Sequence, residues 1–193
     1  MLLALAGVTG IGKSYYKDRV VEKLGFEKIK IITTRQPREG EKNNEDKIFV
    51  THEELQALRD SGEIAYEFKM LGNIYAYTKK SLFSDTNTVF ELHYDTIFDF
   101  KRICPHLCAI YLLPKDIEIA KNKTRERHLN PIVEEQRLLE IDEHYKKINT
   151  DKNLRNMFDY TLYNDYNKSS EDELINLVSK LMLEEKYKNR GTN

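Results

Sequence analysis

The stretch Gly7-Val8-Thr9-Gly10-Ile11-Gly12-Lys13-Ser14 limits what this chain can fold into more than any other part of it. A glycine, four residues and then Gly-Lys-Ser is the spacing of a loop that wraps backbone N–H groups around phosphate. Before it, Leu2-Leu3-Ala4-Leu5-Ala6 is a short unbroken apolar run, the pattern of a strand buried on both faces. After it, Tyr15 to Leu24 carries apolar residues near helical spacing and stops at Gly25. Strand, glycine loop and helix in that order predict an α/β chain with a parallel sheet. The glycines let the loop curl, and the helix start adds a positive dipole end. Lys13 can reach the β- and γ-phosphates of a nucleoside triphosphate, and the Ser14 hydroxyl can ligate Mg²⁺.

The remaining bulk properties narrow the class. A chain of 193 residues suits one domain and can bury a sizeable core. Charged residues make up 33%, yet the net charge is only -1, which argues against a general nucleic-acid or membrane binder. The two cysteines, Cys104 and Cys108, suggest no disulfide framework, and Cys108 opens an apolar run as a small core residue. The N-terminal apolar run is too short for a signal peptide, and no run approaches a membrane span. A soluble, cytoplasmic protein is expected.

Along the chain, Glu27 to Thr33 alternates and reads as a second strand. Thr34 to Asp46 reads as a loop with turns at Pro37 and Gly40. Its Arg35 and Arg38 are either two planar forks for a phosphate or two solvated charges, and spacing alone favours the second. Lys47-Ile48-Phe49-Val50 is a brief strand. Thr51 and Glu54 form a capping box for a helix to about Asp60. Ile64–Met70 and Ile74–Tyr77 read as a hairpin, and Thr78 as the N-cap of a short helix. Residues 35–80 thus form a small α+β insert, of the kind that carries a second substrate. Thr86 to Leu92 is the next core strand, with Glu91 and His93 at the end where open parallel sheets bind ligands. Tyr94 to Ile103 reads as a helix and Cys108 to Leu113 as a buried strand. Asp116 to about His128 and Val133 to Ile148 read as helices broken at Asn130-Pro131. Lys121, Lys123, Arg125, Arg127 and Arg137 make this pair either a solvated charged element or a lid over phosphates. Phe158 to Tyr163 is the last strand, ending at Asn164-Asp165, and Glu171 to Lys186 is the final helix.

Taken together, these features resemble the guanylate kinases, P-loop enzymes that phosphorylate GMP with ATP. The resemblance is carried by Gly7 to Ser14, Thr33-Thr34-Arg35-Gln36-Pro37-Arg38-Glu39-Gly40-Glu41, Asp46 to Val50, Gly62-Glu63-Ile64, Gly72-Asn73-Ile74-Tyr75 and Asn164-Asp165. It implies a three-layer P-loop kinase fold with a parallel five-stranded core sheet. The core would be 1–34, 81–120 and 138–187, the acceptor-binding insert 35–80 and the helical lid 121–137. It implies ATP and Mg²⁺ as cofactors, with Gly7, Thr9, Gly10, Ile11, Gly12, Lys13, Ser14, Tyr15 and Asn164 at the ATP site and Ser14 on the metal. Lys13, Arg35, Arg125, Arg127 and Arg137 would act on the transferring phosphates. Arg35, Arg38, Lys47, Tyr66, Tyr75, Tyr77 and Glu91 would receive a small phosphorylated acceptor. The expected chain is a monomer or homodimer.

The family pattern is broken at the acceptor. Lys47 stands where the family has a phosphate-contacting tyrosine, Tyr66 where a glutamate reads guanine, and Tyr77 where a small hydroxyl residue is expected. Ile31 replaces a serine, and Glu91 with His93 replaces an aspartate pair. One lid arginine falls on Asn122 or Lys123. Sites built to hydrogen-bond a group reject analogues lacking it by roughly 10⁴-fold, so guanine selection should be weak here. The expected function is ATP-dependent phosphoryl transfer to a nucleoside monophosphate, GMP by resemblance. A kinase of another phosphorylated molecule such as ribose 1,5-bisphosphate, or a non-catalytic guanylate-kinase-like binding module, are the alternatives.

Overall fold

The computed structural model describes residues 1–37 and 40–190; Arg38 lies outside the described residues. Strand β1 (Leu2–Gly7) divides the core by its alternation. Leu3 and Leu5 pack in one cluster with Val20 of helix α1 (Lys13–Leu24), while Ala4 and Ala6 pack in another on the opposite face. Gly25, at φ +72°, ends α1, and its N–H donates to Val21 O.

The segment expected as one strand over 27–33 serves two sheets. Strand β2 (Glu27–Lys28) joins the core sheet, and β3 (Ile31–Thr33) joins a second one. Buried Ile29 donates its N–H to Val89 O, and the chain leaves the core sheet after it. The second sheet has the order β4 (Lys47–Phe49), β3, β6 (Asn73–Thr78), β5 (Ile64–Met70). Helix α2 (His52–Asp60) covers it, so that Leu55 packs with Ile32, Ile74 and Ala76 in a small core of its own. The capping box is present, with Thr51 Oγ1 accepting from Glu54 N and Glu54 Oε2 accepting from Thr51 N. Leu71 and Gly72 make a two-residue hairpin loop with φ of +49° and +75°, the sign that a primed turn requires. Helix α3 (Lys79–Leu82) follows its Thr78 cap.

The core sheet is all parallel, in the order β2, β7 (Thr88–Glu91), β1, β8 (Cys108–Pro114), β9 (Tyr160–Asn164). The expected helix after β7 begins as a 3₁₀ turn over Tyr94–Thr96 and becomes helix α4 (Ile97–Ile103). Ile97 and Phe100 of α4 pack on the Ala4 face. Helices α5 (Ile117–Arg125) and α6 (Pro131–Thr150) are joined by residues 126–130, where His128 has φ +49° and ends the helical path before the expected break. Helix α6 is continuous through 137, where the lid boundary was expected. A one-turn helix α7 (Lys152–Arg155) was not foreseen; Asp151 caps it. Helix α8 (Lys168–Arg190) returns to the Leu3 face through Leu174 and Val178. Helices on both faces of the sheet give three layers. Among the described residues, no helix is long and apolar enough to cross a membrane.

Candidate active site

Residues Gly7 to Ser14 leave the C-terminal end of β1 and enter α1, with Gly12 as N-cap at φ +91°. Gly10 is at φ +83°, and a Cβ there would lie 2.2 Å from Ala120 O, so the loop nests against α5 in a way only glycine allows. Lys13 folds back over the loop, its Nζ donating to Gly7 O and Val8 O at 2.9 Å each. Burial pushes its pKa down, helped by Arg127 and Arg137 and opposed by Glu91 and Glu140.

The loop borders a cavity of about 600 Å³, into which the ends of β1 and β7, the insert and the α5–α6 region all project. Gly7, Thr9, Gly10, Gly12, Lys13, Ser14 and Tyr15 line it, as expected positions for a triphosphate. Ile11 is fully buried behind the loop and is not among the lining residues. Asn164 is also absent from the lining. It is buried, donating from Nδ2 to Ile11 O (2.7 Å) and accepting on Oδ1 from Tyr16 Oη (2.6 Å) and Tyr166 N (2.7 Å). It braces the loop from behind. Tyr166, unforeseen, lines the cavity and donates its hydroxyl to Gly10 O.

At the other end, Arg35 makes two bonds to Glu41, at 2.9 and 2.7 Å, and its guanidinium lies over Phe49. Lys47 Nζ is 3.4 Å from the same carboxylate. Tyr75 lines the cavity with its ring stacked on Phe68 at 5.4 Å. Tyr77 is buried and donates its hydroxyl to Glu91 O. Tyr66 is not among the lining residues. Its hydroxyl donates to Asp99 at 2.9 Å, its ring packs edge-on against Phe100, and Phe68, two positions on along the same strand face, lines the cavity instead.

From the third side, Arg127 and Arg137 line the cavity, and Lys123 joins them. Arg137 is bonded to Glu140 at 2.6 Å, and Glu140 stands 3.6 Å from His93 Nε2. Arg125 is exposed, bonds Asn122, and is not among the lining residues. His144 faces the cavity, accepts or donates at Nε2 with Tyr111 Oη (2.7 Å) and stacks on Tyr94. Burial, with Lys13, His93 and Lys147 nearby, pushes its pKa down to about 2, so it is neutral.

The donor set fits a hard cation. Ser14, at the start of α1, and Glu91, at the end of β7, both line the cavity. Burial opposes the charge on Glu91, but Lys17, bonded to it at 3.0 Å, and Lys13 outweigh it and hold its carboxyl below the usual range. An anionic carboxylate beside a hydroxyl at a phosphate loop suits Mg²⁺, which typically takes one or two carboxylates plus substrate phosphates.

A parallel sheet with a phosphate loop after its central strand and cations around one cavity defines a P-loop kinase fold. The family model for guanylate kinase matches residues 1–181, and the chain belongs to the guanylate kinase family. It is 26% identical over 193 residues to the guanylate kinase of Malacoplasma penetrans (strain HF-2), covering 96% of this chain and 95% of that protein. It is 32% identical over 134 residues to that of Lactobacillus delbrueckii subsp. bulgaricus, covering 66% and 65%. The crystal structure of guanylate kinase from Anaplasma phagocytophilum superposes with a TM-score of 0.70 at 20% identity, over 93% of this chain and 85% of that one.

Proposed function

We propose that this protein moves the γ-phosphoryl group of ATP to a phosphate oxygen of a nucleoside monophosphate, with GMP the acceptor that the family suggests. One observation carries the reading. A single cavity joins the Lys13 loop to a second group of cations on the insert, Arg35 and Lys47, with Arg127 and Arg137 beside both. Such a cavity supports two phosphates being brought together with their charge neutralised, which is most of what phosphoryl transfer asks of a protein.

In this reading the loop N–H groups and Lys13 bind the donor phosphates. Ser14 and Glu91 would hold Mg²⁺, which would supply further neutralisation of the donor phosphates. Arg35, Lys47 and Tyr75 orient the acceptor phosphate, Arg38 being proposed with them by resemblance. Arg127 and Arg137 stabilise charge as it develops on the moving group. The walls contributed by Tyr77, Phe90 and Leu92 exclude water from it.

A second acceptor class, a phosphorylated molecule other than a nucleotide, is favoured by one detail. The hydroxyls of Tyr66 and Tyr77 are both spent on protein partners, so neither is presented to a base edge. The test is ATP consumption with Mg²⁺ against GMP, dGMP, AMP, CMP, UMP, dTMP and ribose 1,5-bisphosphate. Turnover with a nucleoside monophosphate supports the first reading, and turnover with ribose bisphosphate alone supports the second. ATP binding without transfer to any of them would overturn both and favour a docking module.

A further inference from the structure

We propose that Lys17 is a positioning residue that locks the insert onto the phosphate loop, holding the two ends of the cavity in register; this rests on the phosphotransfer reading above. Lys17 lies one helical turn after Lys13 on the same face of α1 and is only 4% exposed. Its Nζ is 3.0 Å from Glu91 Oε1 and 2.9 Å from Asp46 Oδ1. Glu91 belongs to the core sheet and lines the cavity beside the phosphate loop with Ser14. Asp46 belongs to the insert and immediately precedes Lys47, the cation at its cavity face. A bridge therefore runs from Glu91, at the loop end of the cavity, through Lys17 to Asp46, and one residue further lies Lys47.

The insert has few other charged ties to the core. Among the described residues of the insert (35–37 and 40–80), Lys17–Asp46 and Lys28–Asp46 pair it with the core, and both end on one carboxylate, whereas Arg35–Glu41 lies within the insert. A lysine serving only to neutralise Glu91 would need no partner from the insert. Held between two carboxylates, the Lys17 ammonium bridges core and insert as a cation. Without it, two carboxylates now held about 3 Å from the same nitrogen would face each other across a vacated site, and like charges at that range repel. The insert would move away and carry Lys47 with it, and Glu91 would lose the cation that holds it at the loop end of the cavity.

The test uses Lys17→Met, which keeps length and removes charge, Lys17→Arg, which restores charge, and the milder Asp46→Asn in case the first fails to fold. Steady-state kinetics and amide hydrogen exchange are measured well below the melting point. Lys17→Met is expected to raise the acceptor KM roughly tenfold, to lower kcat, and to speed exchange over residues 40–50 while the core strands stay protected. Lys17→Arg should recover most of the loss, and Asp46→Asn should raise KM with kcat less affected. Exchange reads the lock even if the wild-type protein transfers phosphate to no acceptor, an outcome that would sink the functional reading alone. A KM within twofold of wild type, with exchange unchanged or raised equally in core and insert, would overturn the role given to Lys17.

Discussion

Replacing Asn164 by alanine separates two roles open to one residue at a nucleotide site. By resemblance Asn164 stands beside the adenine, whereas in the structure all its described polar contacts are to the protein. The substitution removes the donor to Ile11 O and the acceptor of Tyr16 Oη and Tyr166 N, all at 2.6–2.7 Å in a site 3% exposed. Each orphaned buried group costs about 1–3 kcal/mol, and water entering the small void recovers part of it, which leaves a loss of about 3 kcal/mol. At about 2–4 °C per kcal/mol for a chain of this size, Tm should fall by about 6–12 °C. Two of the groups so released, the Ile11 carbonyl within the phosphate loop and the Tyr166 segment that holds Gly10 O, order the loop itself. Affinity for any triphosphate should therefore drop, by roughly tenfold if 1.4 kcal/mol of loop order is lost. Calorimetric titration with ATP and with tripolyphosphate, which has no base, reads this directly, and scanning calorimetry gives Tm. Equal losses for both ligands are expected. A Tm shift under about 2 °C with only ATP weakened would refute the bracing role and return Asn164 to the adenine.

Lys13→Ala should lower ATP-dependent turnover by about 10³-fold while circular dichroism stays that of the wild type, because the side chain bonds only two loop carbonyls and packs no core. His144 makes stability fall in acid. Its folded pKa lies well below the unfolded value of about 6.5, so below that pH the unfolded chain gains a proton that the folded one refuses, and about 1.4 kcal/mol is lost per pH unit. Denaturant titrations should show about 2 kcal/mol less stability at pH 5 than at pH 6.5, and His144→Gln should flatten that slope. Thr51→Ala removes the side-chain arm of the capping box on α2, the hydroxyl that accepts from Glu54 N, and should cost about 1 kcal/mol, read as a Tm drop of about 2–4 °C with unchanged KM for ATP.

What could be read from the sequence was local. The phosphate loop, the Thr51 box, the Leu71-Gly72 turn and the five core strands are each written in a few adjacent residues, and all are present. Segment 27–33 failed as a single strand because alternation says that residues are extended, not which sheet they join; the hydrogen bond from Ile29 to Val89 decides that. Tyr66 was placed at the acceptor by position in a family pattern, but its side chain found Asp99 and Phe100, residues 33 and 34 positions away. In the sequence Lys17 is one residue of the first helix, Asp46 opens the Asp46 to Val50 stretch, and Glu91 is an acid at a strand end. Only the fold brings them onto one point. The same holds for Asn164, whose partner Ile11 is 153 positions distant.

Arg35 and Arg137 each already grip a carboxylate of their own chain, Glu41 and Glu140. An arriving phosphate thus meets no bare cation; it competes with an anion that is tethered nearby at an effective concentration of roughly millimolar or more. A stray sulfate or inorganic phosphate, holding on at one point, is a poor rival to such a built-in counter-ion. A ligand that also grips the glycine loop or the aromatic wall is a better one, because its further contacts lower the cost of the exchange. The cavity then behaves as a threshold against lone anions, admitting molecules by the number of places where they can hold on rather than by charge alone.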